Sequence, residues 1–333
     1  MVSACLIGTG GVGSVAALAL EQGKCAVTVV SRGIYQQVSE HGFEFESVDY
    51  GNIKNWKPTH IVNSVEAAAE KGPFDYVVVS TKNIPEIQKT EDVIRPLVQK
   101  GTSIVLIQNG IGAEETLMEA FPDAYVIGGV SMIGSANYNG KVLHTGHDEL
   151  ILGTYDKRPE AQAAIETFHK VYDATKSTAI IVENLKYRRW CKLVYNATYN
   201  TTAALTGLDT GRLAVADLRY KLVLPAMKEV RAIAEKELGE KLPEGIEDYM
   251  LHSDEDTFFS PSMLQDVRKG NPIELEVILG NPLRIAQKIG VDAPVLTTIY
   301  KLLHGKQFTL LEARGQAYIP ADGSQNVTLP MHL

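Results

Sequence analysis

The sequence predicts an α/β protein in which an N-terminal doubly wound domain of parallel strands and helices is followed by a mainly helical domain. Three observations carry that expectation. From residue 4 to about residue 180, short β-rich apolar runs alternate with helical segments. The first run opens directly into a glycine-rich turn. From residue 184 to about residue 315 the β-rich runs stop and long helical segments take over.

The strand candidates are "ACLIG", "AVTVV", "HIVNSV", "DYVVVST", "SIVLIQN" and "AYVIGGVSM". Continuous apolar runs of this length read as strands covered on both faces, the condition of a parallel sheet. Helices are expected between several of them: "GSVAALALEQ" closed by Gly23, and "PEIQKTEDVIRPLVQ" with Pro85 near its start. "SANYNGKVLHTG" and "ELILGTY" read as an antiparallel addition, with Asn139-Gly140 as a hairpin turn. "RPEAQAAIETFHKVYDAT" then reads as an amphipathic helix and "AIIVE" as a short strand. Asn184 is a candidate N-cap for the helix that follows. Two later stretches, "DLRYKLVLPAMKEVRAIAEKEL" and "IELEVILGNPLRIAQKIG", contain Pro225 and Pro282, and each is expected to kink or break there. The domains are placed at 1–182 and 183–315, with 316–333 as an irregular tail.

A chain of 333 residues allows two domains with cores of their own. The net charge of −8, without a block of like charge, offers nothing to nucleic acid or an anionic membrane. No apolar run approaches the ~18 residues of a membrane span. "MVSACLIG" carries no basic leader and cleavage site, so a cytoplasmic location is expected. Cys5, Cys25 and Cys191 are scattered, with no Cys/His spacing for a metal and no disulfide framework. The helical domain could supply a homodimer interface, although no patch of the sequence marks one out.

"LIGTGGVGSVAAL" contains Gly8-x-Gly10-x-x-Gly13, with Thr9, Gly11 and Val12 between the glycines, directly after a strand and opening a helix. In that context it is the phosphate-binding turn of a Rossmann-type domain. Gly8 permits the tight turn, Gly10 lets the backbone approach a pyrophosphate, and Gly13 lets the helix close on the strand. The helix N-terminus adds unpaired N–H groups and the positive end of its dipole. The second strand ends "VTVVSRG", with Ser31 and Arg32 and no acid to bind a ribose 2′-hydroxyl. Arg32 can pair with a 2′-phosphate, so NADP(H) is expected over NAD(H).

A second constellation lies further on. Lys82 and Asn109 end two of the strand runs, where open α/β sheets bind ligands. A solvated lysine and an Asn-Gly turn account for the same two residues. In "WCKLVYNATYN", Lys192, Asn196 and Asn200 recur every fourth residue beside the apolar Trp190, Leu193, Val194 and Ala197. At ~100° per residue they drift by only about 40° a step, so they form one stripe, either solvated or lining a site. "SPSMLQDVRKGNPIELEVILGN" adds Ser262, which with Gln265 also fits a capping box. It adds Glu274 too, which has Val277 and Ile278 at i+3 and i+4; a carboxylate beside such a stripe must be paired. Glu276, flanked by Ile273 and Leu279, competes for that position.

In this order and at these separations, "GTGGVG", Lys82, "QNGIG" with Asn109, "WCKLVYNATYN" and "SMLQDV" with an acid twelve residues after Ser262 resemble the ketopantoate reductase (2-dehydropantoate 2-reductase) family. The resemblance covers residues 4 to 310. It implies a Rossmann domain, a helical domain like those of the 6-phosphogluconate dehydrogenase group, and a cleft between them. It also implies NADPH-dependent reduction of a small-molecule 2-keto acid to the (R)-2-hydroxy acid. By position, Lys192 would be the general acid. Glu274 would hold the substrate and orient the site, Ser262 would bind the substrate carboxylate, and Asn196 and Asn200 the distal hydroxyl. Asn109 and Lys82 would lie near the nicotinamide ribose and the substrate. The residue types suit the chemistry. Hydride arriving at C2 charges the carbonyl oxygen, and a positioned lysine both stabilises that charge and supplies a proton.

The sequence departs from the family around the acid. Members usually read Thr-Glu with a following Asn-Gly, whereas here Ile273-Glu274 is followed by Gly280-Asn281, and Pro272 restricts the backbone. Two alternatives therefore stand beside ketopantoate reduction. One is a broader (R)-2-hydroxyacid dehydrogenase, which keeps Lys192 but needs no partner for a distal hydroxyl. The other is a non-catalytic NADP(H) sensor, which keeps only the glycine loop.

Overall fold

A computed structural model describes residues 2–254 and 257–317. Most of the tail expected at 316–333 lies outside the described residues. The chain forms two compact units. One comprises Met1–Lys82, Thr90–Gln108 and Ala113–Leu185; the other comprises Asn83–Lys89, Asn109–Gly112 and Lys186–Leu333. The second unit thus takes two short segments from within the first part of the chain, which a contiguous division at 182/183 does not provide for.

The first unit is built on one ten-stranded sheet. Its strands are β1 (Ser3–Ile7), β2 (Ala26–Val30), β3 (Phe43–Ser47), β4 (Gly51–Trp56), β5 (His60–Val62), β6 (Tyr76–Val79), β7 (Ser103–Leu106), β8 (Tyr125–Tyr138), β9 (Lys141–Gly153) and β10 (Thr178–Ile181). Neighbours in the series β5-β2-β1-β6-β7-β8 all pair in parallel, so the winding reverses between β1 and β6. Ala4 and Leu6 are buried on one face with Val78 and Val105, and Cys5 and Ile7 on the other with Val77 and Leu106. Both faces are covered, which is why these strands read as continuous apolar runs. Each of the buried valine, leucine and isoleucine side chains among them stabilises the unit by about 1.5–3 kcal/mol. The accompanying helices are α1 (Gly11–Gln22), α2 (Tyr35–His41), α3 (Val65–Ala69), α4 (Thr90–Ile94), α5 (Ala113–Ala120) and α6 (Pro159–Asp173).

Three features depart from the sequence expectation. β3 and β4 form a hairpin absent from the apolar runs, because Phe43 and Phe45 are buried while Glu44 and Glu46 between and after them are exposed. Such alternation marks a half-buried strand. "AYVIGGVSM" and "SANY" merge into the single strand β8, which turns into antiparallel β9 at Asn139 (φ 52°) and Gly140 (φ 96°). Two successive left-handed residues are what a two-residue hairpin turn requires. The helix expected across "PEIQKTEDVIRPLVQ" shrinks to α4 and a 3-10 turn at Arg95–Leu97. Pro96 supplies no N–H and its ring excludes a continuing α-helix.

The second unit is helical, with α7 (Leu185–Tyr195), α8 (Thr201–Thr206), α9 (Thr210–Val215), α10 (Leu224–Leu238), α11 (Ile246–His252), α12 (Ser262–Arg268), α13 (Asn281–Ile289) and α14 (Pro294–Ala313). Asn184 stands immediately before α7. Trp190, Leu193, Val194 and Ala197 are core as expected, packed with Met227, Val230 and Leu279. The Trp190 indole N–H donates to Glu237 Oε2 at 2.6 Å. The breaks expected at Pro225 and Pro282 take the form of π turns at Arg219–Val223 and Glu276–Gly280. In each case the proline's missing N–H and its ring displace the regular i→i−4 bond, and the turn widens by one residue.

Candidate active site

β1 runs straight into the glycine loop of the first unit. Gly8 has φ 103°, and a Cβ there would stand 2.8 Å from the Thr81 backbone nitrogen. A Cβ on Gly13 would lie 2.1 Å from the Gly8 carbonyl oxygen and 2.2 Å from Ser80 Oγ, so only glycine lets α1 begin this close to the ends of β1 and β6. Gly10 is exposed, and a Cβ on it would meet nothing within 4 Å. The loop is therefore closed inward and open outward at the first turn of α1, a shape that fits a pyrophosphate against free helix N–H groups. Gly11 faces the other way, its Cβ position 2.3 Å from the Ser135 carbonyl oxygen on β8. Val12 is half-buried in α1. Thr9 Oγ1 and the wholly buried Ser31 share a hydrogen bond of 3.0 Å. Asn137 on β8 steadies the loop, donating to the Thr9 carbonyl at 2.7 Å and to Ser14 Oγ at 3.1 Å. Arg32 is exposed just past the end of β2, and Lys82 is exposed just past β6.

In the second unit Lys192, Asn109 and Glu274 form one hydrogen-bonded chain. Lys192 Nζ donates to Asn109 Oδ1 at 3.0 Å, and Asn109 Nδ2 donates to Glu274 Oε2 at 3.4 Å. Glu274 Oε1 accepts the Asn83 backbone N–H at 2.9 Å. Glu274 is 3% exposed, so its carboxylate has the pairing that burial demands. Glu276, the competitor in the sequence, is occupied by Arg284 at 2.8 Å and by the Tyr300 hydroxyl at 2.7 Å.

The position of Asn109 follows from Pro282. The Asn281 N–H reaches back five residues to the Glu276 carbonyl, so in the same pattern the Val277 carbonyl would need an N–H from residue 282. Proline has none. The Ile111 N–H takes that carbonyl instead, at 3.1 Å, and Asn281 Nδ2 donates to the Ile111 carbonyl at 2.6 Å. Gly110 (φ 88°) makes the close approach possible, since a Cβ there would lie 2.5 Å from the Val277 oxygen. From the other side Arg189, one turn before Lys192 on α7, donates to the Gly110 carbonyl at 3.2 Å. The backbone carrying Asn109 is thus held by α7 and by the turn ahead of α13.

The stripe continues from Lys192 through Asn196 and Asn200, which are 7% and 3% exposed. It is therefore not a solvated face. Asn200 Nδ2 donates to Asn196 Oδ1 at 3.2 Å and to Ser262 Oγ at 3.4 Å. Between the two amides the helix widens into a third π turn, Asn196–Asn200, this time without a proline. Thr198 and Thr201 hydroxyls donate to the Val194 and Ala197 carbonyls at 2.6 and 2.8 Å, a back-bonding that competes with the helix's own N–H groups. The capping box expected of Ser262 and Gln265 does not form. Pro261 occupies the N-cap position, Ser262 is already helical, and Gln265 Nε2 donates to the Ser260 carbonyl at 2.8 Å.

Sequence reasoning assigned no role to Asn83, Arg189, Asn281 and Asn137. Asn83 adjoins Lys82 and Arg189 lies three residues before Lys192, so both stood beside motifs already noted; Asn137 and Asn281 carried no signal beyond polar side chains near glycines. Burial pushes the Cys5 and Cys25 thiols up to about 12 and Cys191 up to about 11, so none is a nucleophile at neutral pH. Among the described residues no group of three or more His, Cys, Asp or Glu is placed to hold a metal ion. Nor is any described helix long and apolar enough to cross a membrane.

A doubly wound sheet with an outward-open glycine loop, joined in one chain to a helical unit bearing an oriented lysine, defines a nicotinamide-dependent oxidoreductase. The family model for ketopantoate reductase PanE/ApbA matches residues 4–157, and that for its C-terminal domain matches residues 184–307. The chain belongs to the ketopantoate reductase family, whose members act on 2-keto/2-hydroxy acid pairs. It is 38% identical to an uncharacterized protein of Saccharomyces cerevisiae, over 93% of this chain and 95% of that one. It is 28% identical to the 2-dehydropantoate 2-reductase of a Nostoc species, over 91% and 96% of the two chains. The crystal structure of 2-dehydropantoate 2-reductase from Methylococcus capsulatus superposes with a TM-score of 0.77 at 32% identity, covering 94% of this chain and 97% of that one. A D-mandelate dehydrogenase bound to NADH and anilino(oxo)acetate shares the fold, with a TM-score of 0.78 at 23% identity over 92% of this chain and 99% of that one.

Proposed function

We propose that this chain reduces 2-dehydropantoate (ketopantoate) to (R)-pantoate with NADPH, a step of pantothenate biosynthesis, and that Lys192 is the general acid. The observation that carries this reading is the chain of hydrogen bonds from Lys192 through Asn109 to the buried Glu274. Reduction at C2 turns a neutral carbonyl oxygen into an alkoxide, which needs a donor in place and then a proton. Lys192, oriented by Asn109, donates to that oxygen and gives up the proton. Glu274 holds the Asn109 amide, and with it the lysine, and contributes to binding the keto acid. Ser262 takes the substrate carboxylate, and Asn196 and Asn200 take the distal hydroxyl. The glycine loop with Thr9, Gly10 and Val12 holds the cofactor pyrophosphate, Arg32 its 2′-phosphate, and Lys82 its ribose; Ser31, expected beside Arg32, is wholly buried against Thr9 and steadies the loop instead. When bound, NADPH supplies the hydride.

One observation favours a second reading. The Asn200 amide already donates to Asn196 Oδ1 and Ser262 Oγ, so its donor is engaged without a distal hydroxyl, which suits a broader (R)-2-hydroxyacid dehydrogenase. The sensor alternative is set aside by membership of a family of oxidoreductases. The deciding experiment is the initial rate of NADPH oxidation with ketopantoate, phenylglyoxylate and 2-ketoisovalerate, each repeated with NADH. A marked kcat/KM preference for ketopantoate with NADPH supports the first reading. Preference for an unhydroxylated keto acid supports the second, and preference for NADH overturns the assignment of Arg32.

A further inference from the structure

Glu274 rests on a second polar cluster that the reaction itself does not use. Gln307 on α14 is wholly buried. Its Oε1 accepts the Ile273 N–H at 2.9 Å, and its Nε2 donates to the Ile273 carbonyl at 3.0 Å. The side-chain amide therefore grips both backbone groups of the residue bonded to Glu274. The same Nε2 donates to Glu86 Oε1 at 3.1 Å. Glu86 belongs to Asn83–Lys89, and the first residue of that segment gives its backbone N–H to Glu274 Oε1. The connections close on themselves: Glu274 to Asn83, along the segment to Glu86, across to Gln307, and through Ile273 back to Glu274.

Packing alone does not ask for an amide at position 307. The other buried residues of α14 include Leu296, Ile299, Leu303 and Leu311, and an apolar side chain would pack among them, but it would leave the Ile273 N–H and carbonyl without these bonds. Nor does Glu86 sit there cheaply. Its Oε2 is buried without a hydrogen-bond partner among the described residues, and burial holds its carboxyl above the usual carboxylate range. Residues 271–274 lie in neither helix nor strand, so no ladder fixes the backbone that carries Glu274.

We propose that Gln307 is a positioning residue for Glu274, acting directly through Ile273 and, by way of Glu86, through the segment that presents Asn83. This rests on the reading of Glu274 as a functional carboxylate. The test is a double-mutant cycle of Gln307→Met and Glu274→Gln. It reads kcat, the KM values for keto acid and NADPH, and Tm, with whichever of the three keto acids turns over. Gln307→Met is expected to lower kcat by up to about a hundredfold in the native background, as displacement of a positioned group by about 1 Å does. The KM for NADPH should stay unchanged, and Gln307→Met should add almost nothing once Glu274 is already Gln. Equal losses in both backgrounds would show that Gln307 merely supports the fold, and would overturn the proposal. Near-native turnover of Glu274→Gln alone would instead sink the underlying reading of Glu274. Should the methionine variant not fold, Gln307→Glu enters the same cycle. It keeps the shape and the acceptor for Ile273 and, with at most one carboxyl proton in place of the two amide hydrogens, loses at least one of the two donations.

Discussion

Lys192→Ala is the most direct test of the chemistry. The substitution removes a half-buried ammonium whose Nζ donates to Asn109 Oδ1 at 3.0 Å. Loss of a general acid costs about 10²–10⁴ in rate, and loss of a donor to a developing oxyanion costs about 10²–10³. One group performs both tasks, so the two factors do not simply multiply. A fall in kcat of about 10⁴, equivalent to roughly 5.4 kcal/mol of barrier, is expected. The cost to folding is far smaller, about 1–3 kcal/mol for a charged hydrogen bond and the amide oxygen left behind. That lies within the ~5–15 kcal/mol by which a domain is usually stable. The glycine loop belongs to the other unit, so affinity for NADPH should be retained. The assay is the initial rate of NADPH oxidation beside NADPH binding by fluorescence and Tm, repeated with a small primary amine added in place of the missing side chain. Partial recovery with the amine would mark the lost function as a proton donor. Turnover above about a tenth of native would be far outside the range for a general acid and would refute the assignment.

Three further outcomes are expected. Asn196→Ala should reduce kcat/KM for ketopantoate by about tenfold or more while affecting 2-ketoisovalerate less, because a site built to bond a hydroxyl discriminates through that bond; equal losses on both would rule out the substrate-reading role. Pro282→Ala restores an N–H that competes for the Val277 carbonyl with Ile111, so kcat should fall by roughly tenfold as Asn109 loosens, with the KM for NADPH unchanged. A native kcat there would show that the released carbonyl does not place Asn109. In the first unit, Arg158 holds the Asp156 carboxyl below its ordinary value through its side chain, with help from its backbone N–H. A carboxylate depressed in this way stabilises the fold fully above its unfolded pKa of about 3.9 and loses that contribution as pH falls through the lower folded value. Asp156→Asn should therefore cost roughly 1–2 kcal/mol at neutral pH, toward the low end because Arg158 is 43% exposed, and the difference from native should shrink in acid urea titrations.

Much of the first unit was legible because its signals are local. Gly8 answers to a positive φ and Gly13 to its close approach to the Gly8 carbonyl, both within one strand-turn-helix, while Gly10 keeps the loop open outward. The buried strands announced themselves by apolar runs, and Asn139-Gly140 by its turn chemistry. The hairpin of β3 and β4 escaped because its alternating "FEFES" carries half the apolar content of a strand covered on both faces. "PEIQKTEDVIRPLVQ" misled because its spacing is helical, while residues 85–89 belong to the other unit and Pro96 forbids continuation beyond Ile94. In the second unit the prolines at 225 and 282 were visible as breaks, but not that the break at Pro282 would free a carbonyl for Ile111.

The sequence by itself determined that this chain would carry a dinucleotide-type loop, a helix with one lysine and two amides on a single stripe, and a carboxylate in need of a partner. Those properties reside in residue types and short spacings. Which groups meet was decided by the tertiary structure alone. The bonds that orient the site span 83 residues from Lys192 to Asn109, 165 from Asn109 to Glu274 and 191 from Asn83 to Glu274. No local preference selects a partner across such distances. Burial does, because once packing has excluded water, each remaining donor must find one of the few acceptors that the fold has left within reach.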